Sequence, residues 1–332
     1  MSTNNPLYIY SGVAIGPSGD IIRDERKIIS EDIAPSELKN AFADITDPYL
    51  RRISHFATLS LICCKEAVKK ANIEKFSSPP LIFSTGLGEL RSTVNFFKSV
   101  LDRENNFASP FDFVNSVNIT TPFYIARFLE LNSSTHTISQ EELSFEYALL
   151  FASNTLKNKN TPLVIVGGID EYLSPREIHL SRLSITDEQY FGEGGGFITL
   201  GSNSKNAIGE IFLLESFKNC NLHNRDSDTH RSLECTRLIT EIISNHSEKK
   251  SKTIILPGFR ISKDIIREIK NNLPYIEIEN YLQYSGCFHT ASAFGLTYVL
   301  DEKYRDPGNY FHLNCNRFGE FFLTGFQIYE TI

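Results

Sequence analysis

The chain of 332 residues contains no tryptophan, one methionine and only six cysteines. The cysteines form no CxxC pair and show no metal-ligand spacing, which argues against a zinc site or a dithiol redox centre. We therefore expect reduced thiols of a cytoplasmic protein, most of them filling the core. The chain lacks a run of about 18 apolar residues, so no membrane span is expected. Its first residues lack the basic and apolar regions of a signal peptide, so none is expected.

A surplus of basic residues is also missing. The formal net charge is −7, which argues weakly against a nucleic-acid partner and is compatible with an acidic soluble protein. The length allows two domains, or one large domain built from two similar halves. We expect no cofactor and no bound metal.

Strand-length apolar runs alternate with helix-length segments along the chain. Strands are predicted at residues 7–16, 80–84, 163–166, 194–201, 208–215, 253–258, 275–279, 308–316 and 321–329. Helices are predicted at residues 54–71, 89–101, 120–131, 142–156, 229–246, 261–273 and 288–300. This alternation predicts an α/β fold with mixed sheets.

The predicted elements fall into two halves of similar plan. We assign residues 1–205 to an N-terminal half and residues 206–332 to a C-terminal half that repeats the theme in shorter form. The polar stretch at 220–228 has the composition of a linker between elements.

Two motifs invite a binding interpretation that the sequence does not support. The run Gly-Glu-Gly-Gly-Gly at 192–196 is not followed by Lys-Ser/Thr, and the next residues predict a strand, so a phosphate-binding loop is rejected. The carboxylate pairs Glu141-Glu142 and Asp170-Glu171 have no histidine at ligand spacing, so a metal site is not expected.

Six short motifs follow one another along most of the chain. They are Arg-Arg-Ile-Ser-His-Phe-Ala at 51–57, Ser-Thr-Gly-Leu-Gly at 84–88, the segment 118–131, Gly-Glu-Gly-Gly-Gly at 192–196, Ser-Gly-Cys-Phe-His-Thr-Ala-Ser-Ala at 285–293 and Asn-Arg-Phe-Gly at 316–319. In this order and spacing they resemble the motifs of the ketoacyl synthase (thiolase-like) family. The resemblance implies a thiolase-like fold of two pseudo-duplicated halves in a layered αβαβα arrangement.

The residues at the family's catalytic positions lack its chemistry. Family members place a nucleophilic cysteine at the start of a buried helix, where the helix dipole favours the thiolate. Counting back from the Gly-Gly pair at 167–168, this position falls on Glu142, with Glu141 as the one-residue alternative. No cysteine lies between Cys64 and Cys220.

The supporting groups of that chemistry are replaced as well. The first catalytic histidine matches Pro257, the second matches Cys287, and the lysine five residues before the second matches Leu282. The resemblance therefore implies retained architecture without catalysis, in a subunit of a β-ketoacyl synthase (acyltransferase) complex.

This pattern resembles one subfamily, the chain length factors (ketosynthase β subunits) of type II polyketide synthases. The best-known members carry glutamine at the nucleophile position, from which Glu142 departs. The resemblance implies a heterodimer with a catalytic ketosynthase, fed by an acyl carrier protein with its malonyl or polyketide chain. In such a heterodimer the factor completes a tunnel and sets the chain length.

The resemblance also implies which residues line that tunnel. One wall is the helix after Gly88, and the second wall lies near residues 116–123. The candidate lining residues are Leu90, Arg91, Thr93, Asn95, Phe97, Ser116, Thr120 and Phe123. Structural turns are expected at Gly167, Gly168, Gly194, Asn316 and Gly319.

Other readings of the same residues stay open. Glu142 is also explained as an acidic residue in the first turn of a helix, and Cys287 as a small core residue. The same architecture would serve an inactive subunit of an aryl-polyene or fatty-acid-like synthase. A homodimeric thiolase-fold acyltransferase could use Cys287 with His289 or His312. A protein that only binds acyl carrier protein is disfavoured, because carrier proteins are usually acidic and this chain is too.

Overall fold

The computed structural model describes residues 2–17, 53–73, 78–102, 108–158, 160–173, 179, 183, 189–218, 228–247 and 251–330. Ten strands in these residues form one mixed sheet: β1 (Ser2–Ile15), β2 (Leu81–Ser84), β3 (Thr135–Ile138), β4 (Leu163–Asp170), β5 (Gly194–Gly201), β6 (Gly209–Lys218), β7 (Thr253–Pro257), β8 (Glu277–Ile278), β9 (Gly308–Cys315) and β10 (Glu320–Ile328). Their order across the sheet is β3-β2-β4-β5-β1-β6-β10-β9-β7-β8.

Helices cover both faces of this sheet. They are α1 (His55–Lys70), α2 (Leu90–Leu101), α3 (Pro110–Asn115), α4 (Thr120–Phe128), α5 (Ser144–Leu156), α6 (Asp228–His246), α7 (Lys263–Asn272), α8 (Leu282–Ser285) and α9 (Ala291–Tyr298). A 3₁₀ turn, Glu141–Leu143, precedes α5. In the described part of the chain, no helix is long and apolar enough to cross a membrane.

The sheet repeats one strand plan twice. In the first half β2 is parallel to β3 and β4, and β5 is antiparallel to β4 and β1. In the second half β7 is parallel to β8 and β9, and β10 is antiparallel to β9 and β6. Counted within each half, both orders are 3-2-4-5-1, and antiparallel β1 and β6 join them. The repeat supports two similar halves; the boundary at residues 205 and 206 stays a prediction.

Alternating side chains along the strands separate the layers. In β4, Val164 and Val166 face the central core, whereas Ile165 and Ile169 face the core beside α1. The central core holds α5 and α9, and a third core beneath α6 and α7 covers the second half of the sheet. Both halves of the single sheet pack on this central core, so the layers are helix, first half of the sheet, helix, second half of the sheet and helix, in agreement with the αβαβα expectation.

Local signals explain several element ends. The side chain of Ser54 caps α1 by accepting the N–H of Ala57 at 3.1 Å, and Lys69 and Lys70 lie in its last turn, as predicted. Helix α4 stops at Phe128 rather than residue 131, because Glu130 adopts a left-handed conformation with φ +55°.

Other predicted elements need correction. The helix predicted from residue 142 begins as the 3₁₀ turn, and regular α5 starts at Ser144. Helix α9 is shorter than predicted, since the N–H of Thr290 is bonded to Asp170 instead of continuing a helix from residue 288. Of the strand predicted at 275–279, only Glu277–Ile278 pairs. Helix α3 was not predicted. Residues 51–52 of the first motif and 220–227 of the linker lie outside the described residues.

Candidate functional site

The turn from β3 into α5 is fixed by local hydrogen bonds. Glu141 occupies the left-handed region with φ +50°, a conformation that side chains with a Cβ rarely adopt. The hydroxyl of Ser144 accepts the N–H of Gln140 at 2.8 Å and lies 2.6 Å from the carbonyl oxygen of Glu141. The nucleophile position of the resemblance thus lies in a tight turn, with both candidate glutamates in it.

Glu142 is fully buried and paired with an arginine. Arg260 Nε and Nη2 donate to the same carboxylate oxygen, Oε1, at 2.9 and 2.8 Å. The amide of Asn314 holds the main-chain oxygen of Glu142 at 2.8 Å. Arg260 comes three residues after Pro257, at the end of β7. A carboxylate bound in this way is neither a thiol-like nucleophile nor a free base.

Glu146 lies one helical turn further along α5 and is also buried. Asn314 Nδ2 donates to its Oε1 at 2.7 Å. Burial raises the pKa of Glu146 to about 7, although the hydrogen bond from Asn314 opposes this shift. We call the group formed by Glu142, Glu146, Arg260, His312 and Asn314 the centre. The centre therefore contains a carboxyl group that titrates near neutral pH.

His312 on β9 faces the same carboxyl group. Its Nδ1 lies 3.7 Å from Glu146 Oε1, and its Nε2 shares a hydrogen bond of 3.0 Å with the hydroxyl of Tyr281. Burial lowers the pKa of His312 to about 3, so the ring is neutral at neutral pH. Such a ring cannot stabilise a thiolate or an oxyanion by positive charge.

The other catalytic positions are structural in this chain. Cys287 is 1% exposed, and its backbone bridges to the segment before β5: its N–H donates to Tyr190 at 2.8 Å, and its carbonyl accepts from Gly192 at 3.3 Å. Pro257 ends β7 and pairs with Leu313. His289 is buried against Gly86, where an added Cβ would lie 2.1 Å from the His289 Cβ. Leu282 is half-buried beside the small cluster that includes Cys287.

A turn between β9 and β10 lies next to this centre. The side-chain oxygen of Asn316 accepts the N–H groups of Phe318 and Glu320 at 3.0 and 2.9 Å, and Gly319 has φ +76°. This is the turn that the sequence predicts at Asn316 and Gly319. Arg317 reaches from it to Glu141 Oε1 at 2.6 Å. The turn therefore ties the C-terminal half to the start of α5.

The other glycines expected in turns lie in strands, which corrects that expectation. Gly167 and Gly168 are inside β4, opposite Phe197 and Gly196 of β5. An added Cβ at Gly167 would lie 2.2 Å from the Phe197 ring, so close packing explains the glycine. Gly194 opens β5 with φ +119°, and an added Cβ there would meet the backbone of Ile15.

The tunnel candidates occupy three different environments. Leu90 and Thr120 are buried; Arg91, Thr93 and Ser116 are half-buried; Asn95, Phe97 and Phe123 are exposed. Thr120 and Ser116 donate their hydroxyls to main-chain oxygens of Val114 and Phe113 at 2.7 and 2.8 Å.

Exposed apolar side chains are concentrated on α2, α3, α4 and the turn between α3 and α4. Twelve large apolar side chains are exposed in the described residues, and nine of them lie between residues 97 and 123. We call these nine the α2–α4 face: Phe97, Val100, Leu101, Phe111, Phe113, Val114, Val117, Ile119 and Phe123. An apolar patch of this kind marks an interaction surface.

Sequence reasoning missed several residues of the site. Glu146, Arg260, Asn314 and Tyr281 were not predicted, although Glu146 stands four residues after Glu142, on the same side of a helix. The α2–α4 face was also missed, although its phenylalanines are dense in the sequence. Nothing in the sequence pairs Arg260 with Glu142, since 118 residues separate them.

Solved structures of ketosynthases share this fold. A type II PKS acyl-carrier protein in complex with its ketosynthase bound to the hexaketide matches with TM-score 0.79 and 12% identity, over 98% of this chain and 100% of that chain. The ishigamide ketosynthase/chain length factor matches with TM-score 0.72 and 10% identity, over 98% of this chain and 100% of that one. A β-ketoacyl synthase from Burkholderia phymatum STM815 gives 0.70 and 12%, with the same coverages.

These matches confirm the thiolase-like fold that the sequence predicts. At 10–12% identity, these matches show the fold alone. No protein-family model matches the chain, and no curated protein matches it.

Proposed function

We propose that this chain is a non-catalytic chain length factor that pairs with a catalytic ketosynthase in type II polyketide biosynthesis. The observation that carries the proposal is the Glu142–Arg260 ion pair, at the position that the resemblance assigns to the nucleophile of a condensing enzyme. The ketosynthase would supply the cysteine and histidines. This chain would complete the tunnel in which the product grows.

The neighbouring groups support the absence of catalysis. A condensing site needs a thiolate and cationic or hydrogen-bonding groups directed at an oxyanion. Here His312 is buried and neutral, and Cys287 is 1% exposed. Both are better suited to packing than to acyl transfer, which disfavours the homodimeric acyltransferase.

The α2–α4 face supports an obligate partner. Side chains such as Leu101 at 74% and Phe97 at 58% exposure would be hydrated in an isolated chain. Obligate dimers bury more than about 2,000 Å² of largely apolar surface in total. Strand β3 lies at the edge of the sheet and, within the described residues, pairs only with β2. Its free edge is an additional site for pairing with another chain.

The tunnel assignment comes from the resemblance, and the same surface is compatible with it. Phe97 on α2 and Phe123 on α4 are exposed, so a partner bound there would cover them. Bulky side chains at the end of a tunnel limit the length of the chain inside it. Two of the similar structures contain, by their descriptions, an acyl-carrier protein with its ketosynthase and a ketosynthase/chain length factor. By analogy, we assign acyl carrier protein as the donor of the growing chain.

Co-expression with a catalytic ketosynthase tests the proposal. With only the ketosynthase tagged, we expect a one-to-one complex that retains this chain through size-exclusion chromatography. Expressed alone, this chain should aggregate or elute with bound chaperones. A stable homodimer that ignores the ketosynthase, with acyl transfer that Cys287→Ser abolishes, would contradict the proposal. The product of an active complex distinguishes a polyketide from an aryl polyene or a fatty acid.

A further inference from the structure

Helix α2 is thinly packed for an element that would define a tunnel. Of its side chains only Leu90 and Ser92 are buried, and both lie in the first turn. Farther along, Phe96 packs on Phe113 of α3 with ring centroids 5.3 Å apart. The position of the helix therefore depends strongly on how its first turn is held.

Asp170, the last residue of β4, holds the segment that leads into α2. Its Oδ1 accepts the hydroxyl of Thr85 at 2.7 Å and the N–H groups of Gly86 and Leu87, each at 3.1 Å. Its Oδ2 accepts the N–H of Thr290, just before α9, at 3.0 Å. One buried carboxylate thus joins the approach to α2 with the start of a central helix.

Glu171, the next residue, holds the first turn of α2 itself. Its Oε1 accepts the main-chain N–H of Arg91 at 2.8 Å, and its Oε2 lies 3.8 Å from Arg91 Nε. An N–H in the first turn of a helix has no partner within the helix, so a carboxylate there also benefits from the helix dipole. The side chain of Glu171 therefore links the end of β4 to α2, and a substitution of this side chain alone tests that link.

Other charged groups pack around this pair. Glu89 precedes α2 and accepts the hydroxyl of Ser92. Glu193, before β5, shares a hydrogen bond of 2.8 Å with His55 of α1 and accepts the N–H of Tyr172 at 3.1 Å. Burial raises the pKa of Glu171 and of Glu89 to about 7 each. The charge of Arg91 opposes this shift at Glu171, so Arg91 stabilises the Glu171 carboxylate as well as contacting it.

We infer that Asp170 and Glu171 are positioning residues that fix the start of α2 and so set the length of the product. This inference rests on the proposed function, because it is the tunnel assignment that gives α2 a role in product length. It also gives Arg91 a role: its side chain anchors α2 to Glu171 rather than lining the tunnel.

Amide hydrogen exchange on the purified chain, alone or in its complex, tests the anchor directly. Glu171→Gln replaces the charged acceptor of the Arg91 N–H by a neutral amide oxygen, which makes a weaker hydrogen bond, and it also removes the charge beside the Arg91 side chain. We expect exchange in residues 90–101 to become about tenfold faster, with α1 and α5 unchanged. The control is Asp264→Asn, which removes an exposed carboxylate paired with Arg267 in the first turn of α7. Unchanged exchange in α2 would overturn the anchor.

Product analysis of the complex tests the consequence. With Glu171→Gln we expect a shifted or broader distribution of product lengths at unchanged complex stoichiometry, and no shift with Asp264→Asn. A merely structural role would lower the yield without changing the lengths, and that result would overturn the specificity claim. If no complex with a ketosynthase forms, the proposed function fails, while the exchange experiment still decides whether Glu171 anchors α2.

A milder variant covers the case in which Glu171→Gln does not fold. Thr85→Val keeps the shape of the side chain but removes the hydroxyl that donates to Asp170 and accepts the N–H of Gly88 at 2.9 Å. We expect it to give a smaller increase of exchange in residues 86–101 and a smaller shift of product length. Wild-type exchange and wild-type product lengths in this variant would overturn the role of Asp170.

Discussion

The centre of the fold and the α2–α4 face show opposite distributions of polarity. At the centre, Glu142, Glu146 and His312 are at most 1% exposed. On the face, Phe113 is 54% and Leu101 74% exposed. A free-standing enzyme would keep an accessible polar site and cover its apolar residues. In this chain the polar groups are enclosed and the apolar ones are open.

The contrast indicates which region is complete and which needs a partner. Buried charges persist only when they are paired, and at the centre Arg260 pairs with Glu142. Exposed apolar surface is stabilised by burial against another chain. The centre is therefore enclosed within this chain, whereas under the proposed function the α2–α4 face is the side that a partner would cover.

Breaking the central ion pair should have the largest effect. Arg260→Ala leaves the Glu142 carboxylate buried without its cation, and we expect a loss of about 3–5 kcal/mol in the free energy of unfolding. Urea denaturation followed by circular dichroism measures it. The control, Arg267→Ala, breaks an exposed pair with Asp264 and should leave stability near that of the wild type. Equal losses in both variants would contradict a central ion pair that matters more than an exposed one.

A charge on the open face should affect assembly rather than folding. We expect Phe113→Asp to weaken binding to the ketosynthase by about 2–4 kcal/mol, because a carboxylate would be desolvated in the interface. Titration by surface plasmon resonance measures the affinity. Leu238→Asp, on α6 at 45% exposure, is the matched control and should bind normally. If both variants bind alike, the α2–α4 face is not the interface.

The buried carboxyl group of Glu146 should make stability depend on pH. Its pKa is about 7 in the folded chain against 4.5 for an unperturbed glutamate. A raised folded pKa contributes stability that is present below about pH 4.5 and is lost as the pH rises to about 7. Relative to the wild type, Glu146→Gln should therefore gain about 2–3 kcal/mol between pH 5 and pH 8.

Denaturation at the two pH values checks this dependence. The exposed substitution Glu241→Gln is the control and should track the wild type at both. A Glu146→Gln variant whose difference from the wild type does not change with pH would contradict a carboxyl group that ionises near neutrality.

The smallest effect concerns the backbone of Glu141. Glycine adopts φ +50° freely, so Glu141→Gly should stabilise the chain by about 0.5–1 kcal/mol despite the lost contact with Arg317. Glu141→Ala loses the same contact but keeps the Cβ, so we expect no gain in the free energy of unfolding. Thermal denaturation of both variants makes the comparison. A gain in the alanine variant would point to the side chain rather than the backbone.

Much of the fold follows from the sequence. Periodicity predicts nine of the strands, and capping residues such as Ser54 predict helix starts, because these signals are local. The start of α5 and the shortened α9 were predicted less well. The shortened α9 depends on a distant hydrogen bond, from Thr290 to Asp170, which no local pattern encodes. The turn before α5 is held by Asn314, which donates to the main chain of Glu142, as well as by local bonds.

The sequence predicts the site only through the catalytic residues that this chain is expected to lack. The resemblance implies that the cysteine and histidines of condensing enzymes are replaced at Glu142 (or Glu141), Pro257 and Cys287. It does not reveal that Arg260 neutralises Glu142, since this pair depends on how the two halves pack. The anchor of α2 by Glu171 likewise joins residues far apart in the sequence.

Native mass spectrometry of the co-expressed complex, after incubation with malonyl-loaded acyl carrier protein, tests the central claim most directly. It reports stoichiometry and the chain that carries an acyl adduct in one experiment. The account predicts a one-to-one complex in which the adduct is on the ketosynthase and this chain keeps its unmodified mass. An acyl adduct on this chain, or a homodimer that excludes the ketosynthase, would contradict it.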